Sequence, residues 1–180
     1  MIDLNDYFSP VSIERPDFNF IAEQSGFPHN ITVHTASMAI KNTGNYKVAL
    51  LGVPDGRNSP GTGTMKAPDL VRTELYRLTR IPGKSKIIDL GNMKNGVTFN
   101  DTVTGLRDVL VYLIRQEIFP VVLGGSSALT LAVDKAMSDL DINYTLAGVD
   151  SRIDYINEKK APDSFSYLNT ILHKQKSYLS

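Results

Sequence analysis

Four short apolar runs, "KVALLGV", "KIIDLG", "PVVLGG" and "YTLAGVD", recur along the chain from Lys47 to Asp150. Each has strand length, and none alternates apolar with polar residues. A strand that is apolar on both faces must be covered on both faces, which suits a parallel sheet between layers of helices. This repetition constrains the fold more than any other feature.

The intervening segments carry helical spacing. In "APDLVRTELYRL", Pro68 falls where a first helical turn tolerates proline, and Val71, Leu75 and Leu78 share a face. In "NDTVTGLRDVLVYLIRQE", Leu106, Val109, Leu110, Leu113 and Ile114 follow the spacing of a buried stripe, with Asn100 or Asp101 as the expected cap. "SSALTLAVDKAMSDL" opens on capping serines and gives a third helix, and "DSFSYLNTILHKQ" a fourth. Strands alternating with helices imply right-handed crossovers and a three-layer, doubly wound α/β domain. Residues 1–45 contain breakers at Pro10, Pro16, Gly26, Pro28 and Gly44, and only "ITVHTASMAI" reads as a strand. The expected division is an irregular arm over 1–45 and an α/β domain over 46–180.

With 180 residues the chain is long enough for one domain with a proper core. Its 19 basic and 19 acidic residues leave no cationic excess for nucleic acid or an anionic membrane surface. There is no cysteine, so disulfides, thiolate metal sites and thiol nucleophiles are excluded. No signal peptide or membrane span is recognised, and a cytoplasmic protein is expected.

Two strand ends and one long loop are candidates for chemistry. The loop "GVPDGRNSPGTGTMKAPD" follows the first strand and offers Asp55, Gly56, Arg57 and Asn58 as a ligand loop, because loops at strand carboxyl ends bind ligands in such folds. It is not a phosphate loop: Gly56 and Gly61 have the right separation, but Thr62 and Gly63 follow where Lys and Ser or Thr are needed. The turn after the third strand places Ser126 and Ser127 behind a glycine pair. The fourth run ends in Asp150, with Arg152 and Asp154 just beyond. Two carboxylates so close repel unless a cation joins them, and Arg152 can supply it. The histidines, His29, His34 and His173, lie in neither of these strand-end segments.

The order "LLGVP", "APDLVR", "DLGN", "PVVLGGSSALT", "VDSRID", from about Val48 to Leu172, resembles the ureohydrolase family of arginases, agmatinases and formimidoylglutamases. The resemblance is greatest to the arginase-like or formimidoylglutamase-like proteins of bacteria. It implies a doubly wound fold and two manganese ions bridging a hydroxide that attacks a guanidinium or formimino carbon. It also implies ligands from a Gly-Gly-Asp-His-Ser turn, an Asp-Ala-His-x-Asp strand end and a later Ser-x-Asp-x-Asp segment. On this chain the first motif falls on Gly124 to Ala128, so Ser127 stands at the ligand histidine's place. The second falls on Asp150 to Asp154, with both carboxylates kept and Arg152 at the histidine's place. The third does not occur. A hydroxyl is a poor manganese ligand beside imidazole, and a guanidinium accepts nothing, so it cannot ligate at all.

The expectation is therefore a sheet of order 2-1-3-4, incomplete at its carboxyl end, on a ureohydrolase-like domain. Ser126, Ser127, Asp150, Arg152 and Asp154 would mark a degenerate metal site holding no manganese, with Arg152 bridging the two aspartates. Such a domain would bind a small guanidino, amidino or amino-acid ligand or serve in assembly, and an exposed sheet edge would favour a homo-oligomer. The alternative is an active manganese-dependent C–N hydrolase completed by a further carboxyl-terminal half. A nucleotide-binding reading rests on fold analogy alone.

Overall fold

The computed structural model describes residues 2–12, 27, 31–78, 86–151, 153–156 and 163–176. It is built on helices α1 (Leu4–Tyr7), α2 (Ala67–Leu75), α3 (Phe99–Arg115), α4 (Thr130–Asp139) and α5 (Tyr167–Lys176). The strands are β1 (Phe8–Ser9), β2 (Thr32–Val33), β3 (Val48–Gly52), β4 (Ile87–Met93) and β5 (Phe119–Leu123).

The sheet has the order β1-β4-β3-β5, with β2 also paired to β4. β3 runs parallel to both β4 and β5, so the first three apolar runs take the expected 2-1-3 arrangement. The crossovers β3-α2-β4 and β4-α3-β5 travel in opposite directions, and right-handedness then puts α2 on one face and α3 on the other. Side-chain alternation follows suit. Ala49, Leu51, Val53, Ile88 and Leu90 join Val103, Leu106, Val109, Leu110 and Leu113 of α3 and Ala132 and Ala136 of α4 in one apolar core. Asp89 turns to the other face, where Arg72 and Tyr76 bond to it.

That second face corrects the reading of α2. Val71 and Leu78 are 46% and 57% exposed, and the residues buried there are Pro68, Arg72 and Tyr76. Arg72 is wholly buried because its guanidinium is matched: Nε and Nη2 donate to the two Asp89 carboxylate oxygens at 2.8 and 2.9 Å, and Nη2 also donates to the Gly91 carbonyl at 2.8 Å. A fully paired cation can occupy a position that apolar periodicity assigns to leucine. The long helix α3 buries Leu106, Val109, Leu110 and Leu113 of its expected stripe while Ile114 stays half-buried, and its cap is not Asn100 or Asp101 but Thr98, whose side chain and that of Asp101 satisfy each other's backbone N–H groups.

Among the described amino-terminal residues, two short strands join the sheet. β1 pairs antiparallel with the end of β4 (Phe8 opposite Met93), β2 runs parallel to its beginning (Thr32 opposite Ile88), and Leu4 and Phe8 are buried in the core. These residues close one edge of the sheet.

The fourth expected strand is not formed. Residues 142–150 have neither helix nor strand structure, and Val149 is fully exposed. Tyr144 donates its hydroxyl to Asp134 of α4 at 2.7 Å, tying this stretch to a helix and not to the sheet. Among the described residues, β5 is therefore the open edge of the sheet. No helix among them is long and apolar enough to cross a membrane.

Candidate functional site

The carboxyl ends of β3 and β5 lie side by side, and their loops lock together. The Ser126 N–H donates to the Asp55 carbonyl at 2.9 Å, and the Val53 N–H to the Leu123 carbonyl at 2.9 Å. Gly125 is required by this approach: a Cβ there would stand 2.2 Å from the Asp55 carbonyl oxygen, whereas a Cβ at Gly124 would meet nothing within 4 Å. Neither glycine has a positive φ, so the need is for space and not for left-handed backbone.

Asp55 is buried and faces Arg57, whose Nε and Nη2 donate to its two oxygens at 2.9 and 2.5 Å. The same guanidinium reaches the Val97 carbonyl at 2.7 Å, the Gly96 carbonyl at 3.1 Å and the Thr102 hydroxyl at 3.0 Å. Burial alone would raise the Asp55 carboxyl, but hydrogen bonds from Arg57 and Thr102 hold it below its ordinary value, and the bond to Asp55 raises Arg57 in turn. Within the expected ligand loop, Arg57 thus serves as a clip between the β3 and β4 loops. Gly56 packs against Thr64 and Met65, and the Asn58 carbonyl accepts from the Ser164 N–H at 2.8 Å.

The serine turn is joined to the same neighbourhood. Ser126 Oγ accepts from the Ala128 N–H at 3.3 Å and caps a short 3-10 turn that leads into α4. Ser127 Oγ donates to the Ser164 carbonyl at 3.1 Å. Ser164 is itself buried, and its own hydroxyl has no partner among the described residues.

Asp150 and Asp154 lie beyond α4. Asp150 is exposed and accepts from the Ser151 hydroxyl at 3.1 Å, while Asp154 is 3% exposed. Both line a cleft of about 540 Å³ together with Thr130, Leu146, Tyr167 and Leu168. The Tyr167 phenol is raised by burial and by the negative charges of Asp154 and Asp150, against a lowering hydrogen bond with Thr130. Arg152, expected to bridge the aspartates, lies outside the described residues, as does His29. His34 is a core residue with Nδ1 at 2.8 Å from the Leu90 carbonyl, and His173 is exposed on α5. Among the described residues, no three His, Asp or Glu side chains come together as metal ligands.

Thr130, Ser164 and Tyr167 were not singled out from the sequence. The signal that could have found the last two is "DSFS", where Asp163 accepts from the Phe165 N–H at 2.9 Å and the Ser166 hydroxyl at 2.7 Å, fixing the start of α5. That turn brings Tyr167 back over α4.

A mainly parallel α/β sheet with its polar loops gathered at the strand carboxyl ends defines the class: a doubly wound domain with its candidate site at those ends. The chain belongs to the arginase family, whose model matches residues 46–171. Among solved structures, formimidoylglutamase from Bacillus subtilis superposes with a TM-score of 0.62 at 18% identity, over 79% of this chain and 53% of that one. A Clostridium difficile protein provisionally named an agmatinase gives 0.61 at 19% identity, over 75% and 52%. Trypanosoma cruzi formiminoglutamase, in a structure with manganese, gives 0.50 at 19% identity, over 56% and 37%. The aligned part thus spans between 37% and 53% of these structures' lengths. No curated protein sequence matches the chain significantly.

Proposed function

We propose that this chain is a ureohydrolase-like domain without a working manganese pair, which binds a small guanidino, amidino or amino-acid ligand and does not hydrolyse it. The observation that carries the reading is at Ser127. It stands where the family's motif has a ligand histidine, and its hydroxyl is engaged with the Ser164 carbonyl. Of the ligand positions carried over from the family, only Asp150 and Asp154 keep carboxylates. Two carboxylates without imidazoles or a third acid do not fit a pair of manganese ions, which need several nitrogen and oxygen donors converging. The cleft favours an organic cation because two acids, a phenol and a threonine hydroxyl surround a space partly walled by Leu146 and Leu168. A planar amidinium bonds well to such carboxylates without needing a fixed coordination geometry.

A second reading is an active manganese-dependent hydrolase whose ligand set is completed by further polypeptide. It is favoured by the matched structures being about twice as long as the part aligned with this chain.

One experiment separates the two. Purified protein is dialysed against manganese, its metal content measured, and release of urea or formamide followed with agmatine, arginine and N-formimino-glutamate. The proposal expects substoichiometric manganese, no product, and calorimetric binding of at least one of these compounds that Asp154→Asn weakens about tenfold. Stoichiometric manganese with turnover overturns it, and so does the absence of any binding.

A further inference from the structure

We infer that Asn95 and Gly96 form a covalent modification site gated by the Arg57 clip: when the clip opens, the Asn95 side-chain amide converts irreversibly to aspartate or isoaspartate. "KNGV" is the only place in the chain where asparagine precedes glycine. Glycine has no Cβ to shield its own backbone nitrogen, so that nitrogen is open to the preceding side chain.

The step needs no partner but water. The Gly96 nitrogen attacks the Asn95 Cγ, the Cγ–Nδ2 bond breaks, and ammonia leaves with the proton that Gly96 gives up. Water then opens the cyclic imide at either of its two C–N bonds. One opening gives aspartate, and the other gives isoaspartate, with the main chain lengthened by a carbon.

The fold holds both reacting groups by the hydrogens that this step removes. The Gly96 N–H donates to the Thr102 hydroxyl at 2.9 Å, and the Asn95 Nδ2 donates to the Pro54 carbonyl at 3.0 Å. Arg57 secures the same turn by donating to the Gly96 and Val97 carbonyls at 3.1 and 2.7 Å and to the Thr102 hydroxyl at 3.0 Å. Cyclisation takes the Gly96 proton and expels Nδ2, so it forfeits the first two bonds. Every group involved belongs to residues 54–102.

Glycine is nonetheless fixed at this position. A Cβ at 96 would collide with Asp101 and stand 2.9 Å from the Thr102 nitrogen, against the start of α3. Packing therefore retains a labile pair, and the clip keeps it intact. Once modified, the site does not close again: a carboxylate at 95 has no N–H for the Pro54 carbonyl, and the extra main-chain carbon of isoaspartate shifts Gly96 away from Thr102. The change frees the β4 loop from the β3 loop at the strand ends.

The test follows Asn95 by peptide mass and isoaspartate detection after incubation at mildly alkaline pH. Native wild type should deamidate there about tenfold or more slowly than the urea-unfolded chain, because reaction requires local opening. Thr102→Val keeps the side chain's shape without its hydroxyl and should speed the native reaction about tenfold, whereas Thr102→Ser should not. Urea well below the unfolding midpoint should leave the native rate unchanged, since local opening exposes little surface. If Thr102→Val does not fold, the urea series and the comparison with unfolded chain decide. Equal rates in native and unfolded protein, an unchanged rate in folded Thr102→Val, or a native rate that climbs with urea as global unfolding does overturns the inference.

Discussion

Arg72 and Asp89 form a two-pronged ion pair in which both side chains are completely buried, with N–O distances of 2.8 and 2.9 Å. The pair fastens α2 to β4, and the Tyr76 hydroxyl adds a third donor to the same carboxylate at 2.8 Å. Truncating one partner strands the other's charge without water. Arg72→Met should therefore destabilise the fold by about 3–5 kcal/mol, read from the urea midpoint. Arg72→Met with Asp89→Asn should cost less than Arg72→Met alone, since no unpaired charge then remains. Equal costs would show that the helix is held mainly by packing.

The glycine pair after β5 should respond asymmetrically. Gly125→Ala forces a methyl group into the Asp55 carbonyl, so the two strand-end loops must separate, at about 1–3 kcal/mol. Gly124→Ala meets open space at a backbone conformation open to any residue, so it should be neutral or stabilising by up to about 1 kcal/mol. Melting temperatures of the two variants, measured side by side, check the contrast.

Asp55 predicts an acid-sensitive component of stability. Its folded carboxyl titrates below the ordinary value of 3.8, so the native state holds the proton more weakly than the unfolded chain. The contribution is complete at pH values above the unfolded pKa and is lost as pH falls through the folded one. Asp55→Asn removes it, and the difference in urea midpoint between wild type and variant should shrink as pH is lowered below about 4. A difference that stays constant down to pH 2 would contradict the assignment.

The phenols report on the cleft. Tyr167 should ionise above the ordinary value of 10, and Asp154→Asn should bring its titration down, because one of the charges raising it is removed. Tyr144, pushed up to about 12 by burial and by Asp134, should be unaffected by that change and shift down with Asp134→Asn. Carbon-13 chemical shifts of the tyrosine rings against pH resolve the two residues.

The sequence made α3 legible because Leu106, Val109, Leu110 and Leu113 keep helical spacing and no charge interrupts their stripe. It hid the buried face of α2, because what makes Arg72 a core residue is a carboxylate seventeen positions away. Phe8 and Thr32 were obscured by the reverse problem: two-residue strands have no periodicity, and only the waiting edge of β4 gives them order. "YTLAGVD" has strand composition, but Tyr144 ties it to Asp134 of α4, a contact that no local pattern announces. At the candidate site, Ser126, Ser127, Asp150 and Asp154 stood out through motif spacing. Thr130 and Tyr167 reach the cleft from two different helices, a juxtaposition created by packing alone.

The serine turn has a practical corollary. Residue 127 sits on the outside of its turn, held by a single bond to a neighbouring carbonyl, while the tight backbone approach is borne two positions earlier by Gly125. An imidazole grafted at 127 would displace solvent and leave the apolar interior untouched, so this position can take a larger polar side chain at little cost to the fold.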